Sequence, residues 1–280
     1  MKTVILSDMH NRRVAVEDLF SKIGLMAENG KRNLGFNVIA LGDIVSLGYG
    51  EVEAEFFEWV MPFVDTALVG NHEYPTVNNS RDVVFGGWGS RDVKCTNLVH
   101  DSVNDPDGKW FAAASVGEWL LTHAGLHPDY RRFVIDPVED VASEIANDIN
   151  ILFDEYRDND FMMHEAKDLF DAISMSRGGY NRFGGIFWND AYDLQGSYRG
   201  KANQLRQICG HSSYAEKLDG YPRLHDDLYC IDTHGSVNAL VTEDDGVSFE
   251  FVRSDYDYSY GSGRRVGNFS KVRGDELVVV

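Results

Sequence analysis

The chain has 280 residues, 43% of them hydrophobic and 25% charged, with 26 Lys and Arg against 45 Asp and Glu. A formal net charge of −19 excludes a protein that holds nucleic acid by broad neutralisation of phosphates, because the polyanion would be repelled. No apolar run approaches the roughly 18 residues that span a bilayer, and three cysteines (Cys95, Cys209, Cys230), odd in number and without CxxC spacing, make no disulfide framework.

Met1-Lys2 runs straight into the strand-like VILSD without the pattern of a secretory leader, so a reduced, cytoplasmic setting is expected. Lys2 to Ser7 reads as a buried β-strand that breaks at the polar Asp8-Met9-His10-Asn11. Val14 to Ala27 carries Val16, Leu19, Phe20 and Ile23 at helical spacing. Asn37 to Leu41 is a second strand ending at Gly42-Asp43, Val52 to Val60 is helical, and Thr66 to Val69 is a third strand ending at Gly70-Asn71-His72-Glu73. This alternation predicts a βαβαβ unit with a mostly parallel inner sheet, in which ligands sit beyond the carboxyl ends of the strands. Asp136 to Met175 reads as two Asp- and Glu-rich helices forming an insertion or cap (136–176). Strands return between Cys209 and Phe251, with Asp244-Asp245-Gly246 marking a hairpin turn. Residues 254–280 are rich in Tyr, Ser and Gly and read as a peripheral tail to one domain, 1–253.

Five of the nine histidines follow strand-like runs next to Asp, Asn, Thr or Gly: His10, His72, His123, His211 and His234. One histidine so placed is ordinarily a satisfied core or surface residue. Five at strand ends, with Asp8 and Asp43 similarly placed, are hard to explain by packing. Mixed carboxylate and imidazole donors suit Mn²⁺, Fe or Zn²⁺ better than Ca²⁺ or Mg²⁺, which prefer oxygen ligands alone. The acidity of the chain as a whole is otherwise read as solubility.

Taken in order, Asp8-x-His10, Gly42-Asp43, Gly70-Asn71-His72-Glu73, His123-Ala124-Gly125 and Gly210-His211 resemble the motif series of the calcineurin-like metallophosphoesterases. The resemblance spans about residues 3–235 and implies an α/β fold, a four-layer α/β/β/α sandwich. It implies that Asp8 and His10 bind a first metal, that Asp43 bridges, and that Asn71, His123 and His211 bind a second. His72 resembles the family's non-ligand histidine, placed to protonate the leaving oxygen. Two divalent cations about 3.5–4 Å apart stabilise attacking and leaving oxygens and make hydroxide available near neutral pH. The activity implied is hydrolysis of a phosphomonoester or phosphoanhydride by metal-bound hydroxide, without a covalent phosphoenzyme.

Three positions depart from the serine/threonine-phosphatase pattern. Ser46 and Leu47 stand where that branch carries the Asp that orients the histidine and an Arg that binds phosphate; Val69 replaces a second Arg. GDIVSLGYGEVE and THAGLHPDY look closer to the bacterial and phage branch that includes diadenosine tetraphosphatase. Phosphate then needs other donors, and Arg177 in SRGGYNRFGGIFWND is the candidate, with Arg182 as the alternative. His234 is read as a group that supports a metal ligand, as an extra ligand of the first metal, or as a core-edge histidine. Expected partners are a phosphorylated small molecule, nucleotide or phosphoprotein, with no stable nucleic-acid or membrane binding. The rival readings are a dinucleoside-polyphosphate hydrolase, a phosphodiesterase, and a non-catalytic metal-binding scaffold.

Overall fold

The computed structural model describes residues 1–46, 51–77, 93–105, 108–133, 142–159, 161–199, 205–212, 222–232, 236–257, 264–265, 271–273 and 276–278. The first strands follow the expected order: β1 (Lys2–Leu6), α1 (Arg13–Lys22), β2 (Phe36–Ala40), α2 (Glu51–Val60) and β3 (Thr66–Leu68). Helices α3 (Tyr74–Val77) and α4 (Val93–Val103) lead to β4 (Trp110–Phe111), β5 (Ala113–Val116) and β6 (Trp119–Thr122). Then come α5 (Ala142–Asp158), α6 (His164–Phe170), α7 (Ala191–Tyr198), β7 (Arg206–Cys209), β8 (Arg223–His225), β9 (Leu228–Cys230), β10 (Asn238–Thr242) and β11 (Glu250–Arg253). The C-terminal segment adds β12 (Tyr256–Asp257), β13 (Arg264–Arg265), β14 (Lys271–Arg273) and β15 (Glu276–Val278).

Two sheets result. The first has the order β15-β14-β11-β10-β1-β2-β3-β4, with β1 to β4 parallel; the second has β5-β6-β7-β9-β8, with β6, β7 and β9 parallel. Period-two alternation sorts each strand's side chains between two faces. Ile5, Ile39, Leu41 and Leu68 meet Leu121, Ile208 and Ile231 in the apolar layer between the sheets. Val4, Leu6, Val38 and Ala40 point the other way, onto α1 and α2. On the far side of the second sheet, α7 covers β7 and β9 through Ala191, Leu194, Tyr198, Cys209, Leu228 and Cys230. The layering is α/β/β/α.

Within the region expected as an insertion or cap, α5 packs one face against the rest of the chain. Ile145, Ala146, Ile149, Phe153 and Tyr156 form a buried stripe along α5, so its acidic residues occupy the opposite face. Asn150 fixes α5 to the point where the chain crosses from the first sheet to the second. Its Oδ1 accepts the N–H groups of Ala112 (2.9 Å) and Ala113 (3.0 Å), and its Nδ2 donates to the Ala113 carbonyl. Such backbone groups would otherwise be left unpaired at a strand end. Within residues 254–280, expected as a peripheral tail, β14 pairs antiparallel with β11 and β15 with β14, forming the edge of the first sheet. Among the described residues, no helix is long and apolar enough to cross a membrane.

Candidate metal centre

Strands β1, β2 and β3 of one sheet and β6 and β7 of the other end at the same place, and each is followed by polar residues of a motif. The loops there are latched to one another. Met9 N–H and His10 N–H both donate to the Asp43 carbonyl at 3.0 Å, and Gly210 N–H donates to the His123 carbonyl at 2.7 Å. Among the described residues six non-glycine residues have positive φ, and four of them lie here: His10 (44°), Asn11 (60°), Asp43 (48°) and His211 (65°). Left-handed backbone at non-glycine positions is held only where surrounding structure over-determines it, and it gathers at functional sites.

The motif glycines allow this crowding. A Cβ at Gly70 would fall 2.3 Å from Asp43 Oδ1 and 2.4 Å from Asp43 N; a Cβ at Gly210 would fall 2.2 Å from Asp8 Oδ2. Glu73, fully buried, ties the β2 and β3 loops together: Oε2 accepts from Asp43 N (2.9 Å) and Gly70 N (3.0 Å), and Oε1 from Val45 N (3.3 Å). Its role is not evident in the sequence, because two of its three partners lie 30 and 28 residues upstream.

The buried Asp43 carboxylate divides between two groups of donors. Oδ1 lies 3.5 Å from His123 Nε2 and accepts the His72 N–H at 3.0 Å, while Oδ2 lies 3.7 Å from both His10 Nε2 and His72 Nε2. Ligand atoms of His10, Asp43 and His72 lie within 4.8 Å of one another, as do those of Asp43, His123 and His211. Asn71 joins the second group, its Oδ1 2.9 Å from His123 Nε2. Asp8, also buried, accepts the His211 N–H at 3.1 Å on both oxygens.

These atoms fit divalent cations. His123 Nδ1 donates to the Leu41 carbonyl at 2.8 Å, which leaves Nε2 as a lone pair facing the Asn71 and Asp43 oxygens and His211 Nδ1 (3.1 Å). Acceptors turned toward acceptors repel unless a cation lies between them. His211 Nε2 is buried and has no hydrogen-bond partner among the described residues. Burial pushes the pKa of His123 down to about 3 and that of His211 well below its ordinary value, with the Arg177 charge adding to both, so both rings are neutral donors. Burial raises the pKa of Asp8 and Asp43, reinforced at Asp8 by Asp232 and Asp43 and at Asp43 by Glu73. Carboxylates so desolvated need either protons or cations. Asp232, buried at the end of β9, is a further acidic neighbour that the sequence reading left unassigned.

His72 Nδ1 lies 2.9 Å from the Ser46 backbone carbonyl, so a main-chain oxygen stands where a carboxylate was missing. Arg177 reaches the same loops: Nη2 donates to the Ser212 hydroxyl (2.6 Å) and the His211 carbonyl (3.2 Å). Arg182 is exposed and lies over the Phe183 ring at 4.9 Å, whose ring also stacks on His127 at 3.6 Å between centroids. No contact of Arg182 joins it to the Asp43 cluster among the described residues. Leu47 and His234 lie outside the described residues.

Residues 1–240 match the family model described as calcineurin-like phosphoesterase. The fold is similar to that of a cold-active protein tyrosine phosphatase, with TM-score 0.54 and 16% identity over 92% of this chain and 79% of the other. A cold-active protein-tyrosine phosphatase of a psychrophilic Shewanella species is similar at TM-score 0.54 and 15% identity, over 95% and 80%. At these identities the likeness is one of fold. No curated protein matches the chain.

Proposed function

The chain belongs to the calcineurin-like phosphoesterase family, and we propose that it is a phosphatase that uses two divalent cations to hydrolyse a phosphomonoester or phosphoanhydride. The observation that carries this reading is the division of the Asp43 carboxylate, with Oδ1 toward His123 and Oδ2 toward His10 and His72. In it, Asp8, His10 and Asp43 hold one cation, and Asp43, Asn71, His123 and His211 hold the other. The mixed imidazole and carboxylate set favours Mn²⁺, Fe or Zn²⁺. When bound, such a pair supplies Lewis-acid stabilisation of phosphate oxygens and lowers the pKa of water.

The chain's own side chains do the rest. With Nδ1 held on the Ser46 carbonyl, His72 has Nε2 as the atom that takes or gives a proton at the leaving oxygen. Arg177 supplies the positive charge that Leu47 and Val69 do not, and charge-assisted hydrogen bonds from a guanidinium suit phosphate; Arg182 is the alternative. The substrate class is a phosphorylated small molecule, a nucleotide or a phosphoprotein, since the −19 charge disfavours long polyanions.

The test is a panel of phosphomonoesters, phosphodiesters, dinucleoside polyphosphates and phosphopeptides, each with Mn²⁺, Mg²⁺, Zn²⁺ and Ni²⁺. Metal-dependent turnover of a monoester or anhydride supports the reading. Turnover of diesters alone would reassign the substrate. Stoichiometric metal with no turnover anywhere would favour a binding scaffold.

A further inference from the structure

We infer that Ser212 and Asp190 are positioning residues that hold Arg177 against the loop carrying His211. The inference rests on reading Arg177 as the phosphate-holding group. Arg177 ends a single helical turn, Met175–Arg177, which Gly178 closes at φ 83°. Its backbone is pinned by Arg177 N–H to the Ser174 carbonyl (3.0 Å), and the loop is closed by Met175 N–H to the Asn181 carbonyl (2.8 Å). The loop is therefore tied at both ends, and what remains to be fixed is a long, rotamer-rich side chain.

Two residues fix it. The buried Ser212 hydroxyl accepts from Arg177 Nη2 at 2.6 Å and from Ala191 N–H at 2.9 Å. Asp190 pairs one oxygen, Oδ2, with Arg177 Nε at 3.0 Å and uses the other, Oδ1, to cap α7 through Tyr192 N–H at 2.9 Å. One edge of the guanidinium is thereby bound to the first turn of α7 and to the residue that follows His211. Nη1 takes part in none of these contacts, and the Nε contact with Asp190 is an ion pair without hydrogen-bond alignment. The guanidinium charge is felt at the centre, where it works against the upward shift that burial gives Asp43 and adds to the downward shifts that burial gives His123 and His211. An arginine immobilised before the anion arrives loses less conformational freedom on binding it.

The two supports differ in one respect. Asp190 orients Arg177 but also repels phosphate, and these effects oppose each other. Ser212 is neutral and carries only the orienting effect, so it gives the cleaner test.

The experiment is calorimetric binding of inorganic phosphate to the metal-loaded protein, with metal content measured in parallel. Ser212→Ala should weaken binding by about 3–30-fold at unchanged metal content, and Ser212→Thr should restore it. In the Arg177→Ala background, Ser212→Ala should have no further effect. Asp190→Asn, which keeps a good helix cap, gives a second cycle should Ser212→Ala fold poorly. It should tighten phosphate in the Arg177→Ala background, by removing repulsion alone, and tighten it less or weaken it when Arg177 is present. Equal effects with and without Arg177 in both cycles would overturn the positioning role while leaving the functional reading intact. A wild-type protein that binds metal but no phosphate would overturn the functional reading and the inference together.

Discussion

Glu73 Oε2 accepts the backbone N–H of Asp43 at 2.9 Å, so a carboxylate that belongs to neither donor group fixes the backbone of the residue that both groups share. It also holds the N–H groups of Gly70 and Val45. Asp43 sits at φ 48°, a conformation that persists only under such restraint.

Glu73→Ala should leave three backbone donors without that acceptor in a buried position. Each unsatisfied buried group costs about 1–3 kcal/mol, so a loss of roughly 3 kcal/mol or more is expected from urea unfolding. Glu73→Gln, which keeps one carbonyl oxygen, should fall between. A wild-type unfolding curve for the alanine variant would remove the role of Glu73 as the tie between the loops.

His72→Asn should lower kcat by about 10²–10⁴-fold with both metals retained, the range a positioned general acid contributes. The loss should shrink for an activated aryl phosphate, whose leaving oxygen needs little protonation. Because His72 Nε2 also lies within 3.7 Å of Asp43 Oδ2, metal analysis decides between two roles. Metal lost in step with activity would make His72 a ligand instead.

Arg177→Ala should raise KM or lower kcat by about one to two decades without loss of metal, since a hydrogen bond to a charged group contributes about 1.5–3 kcal/mol. Wild-type kinetics in that variant would turn attention to Arg182, despite its exposed place over Phe183.

Away from the centre, Asp65 ties β2 to Arg32. It accepts from Val38 N at 2.8 Å and pairs with the Arg32 guanidinium. Burial pushes its pKa up, but the Arg32 and Val38 hydrogen bonds and the Arg32 and Lys109 charges outweigh it, and the net shift is below the ordinary 3.8. A depressed folded-state pKa contributes stability that is fully present above 3.8 and is lost as pH falls through the lower folded value. Asp65→Asn should therefore be less stable than wild type at neutral pH, and the gap should narrow in strong acid. An equal gap at both pH values, read by urea unfolding, would contradict the linkage.

Strand ends were legible because apolar runs such as Val4–Leu6 and Val38–Ala40 stop abruptly at Asp, His and Asn, and parallel strands that stop together bring such residues together. The pairing of Asp43 with four histidines across two sheets was legible only through the order of the motifs, since His123 and His211 come from a different sheet than His10. Glu73 was not legible as a tie, because its acceptor role depends on backbone groups of the β2 loop. Nor was the packing of α5: its five acidic residues read as a solvated face, while Ile145, Ile149, Phe153 and Tyr156 form the buried stripe opposite. The short strands β4 and β5 were not legible, because a single residue, Ala112, separates a strand of one sheet from a strand of the other.

The most direct measurement is hydrolysis of an aryl phosphate by chelator-stripped protein, titrated with Mn²⁺ or Zn²⁺ and run in parallel with Asp43→Asn. Activity should be absent in the stripped protein and rise to a plateau near two equivalents of metal per chain, with weaker binding and little recovery in the variant. Full activity without metal, or an Asp43→Asn titration that matches wild type, would contradict a centre in which one carboxylate serves two cations.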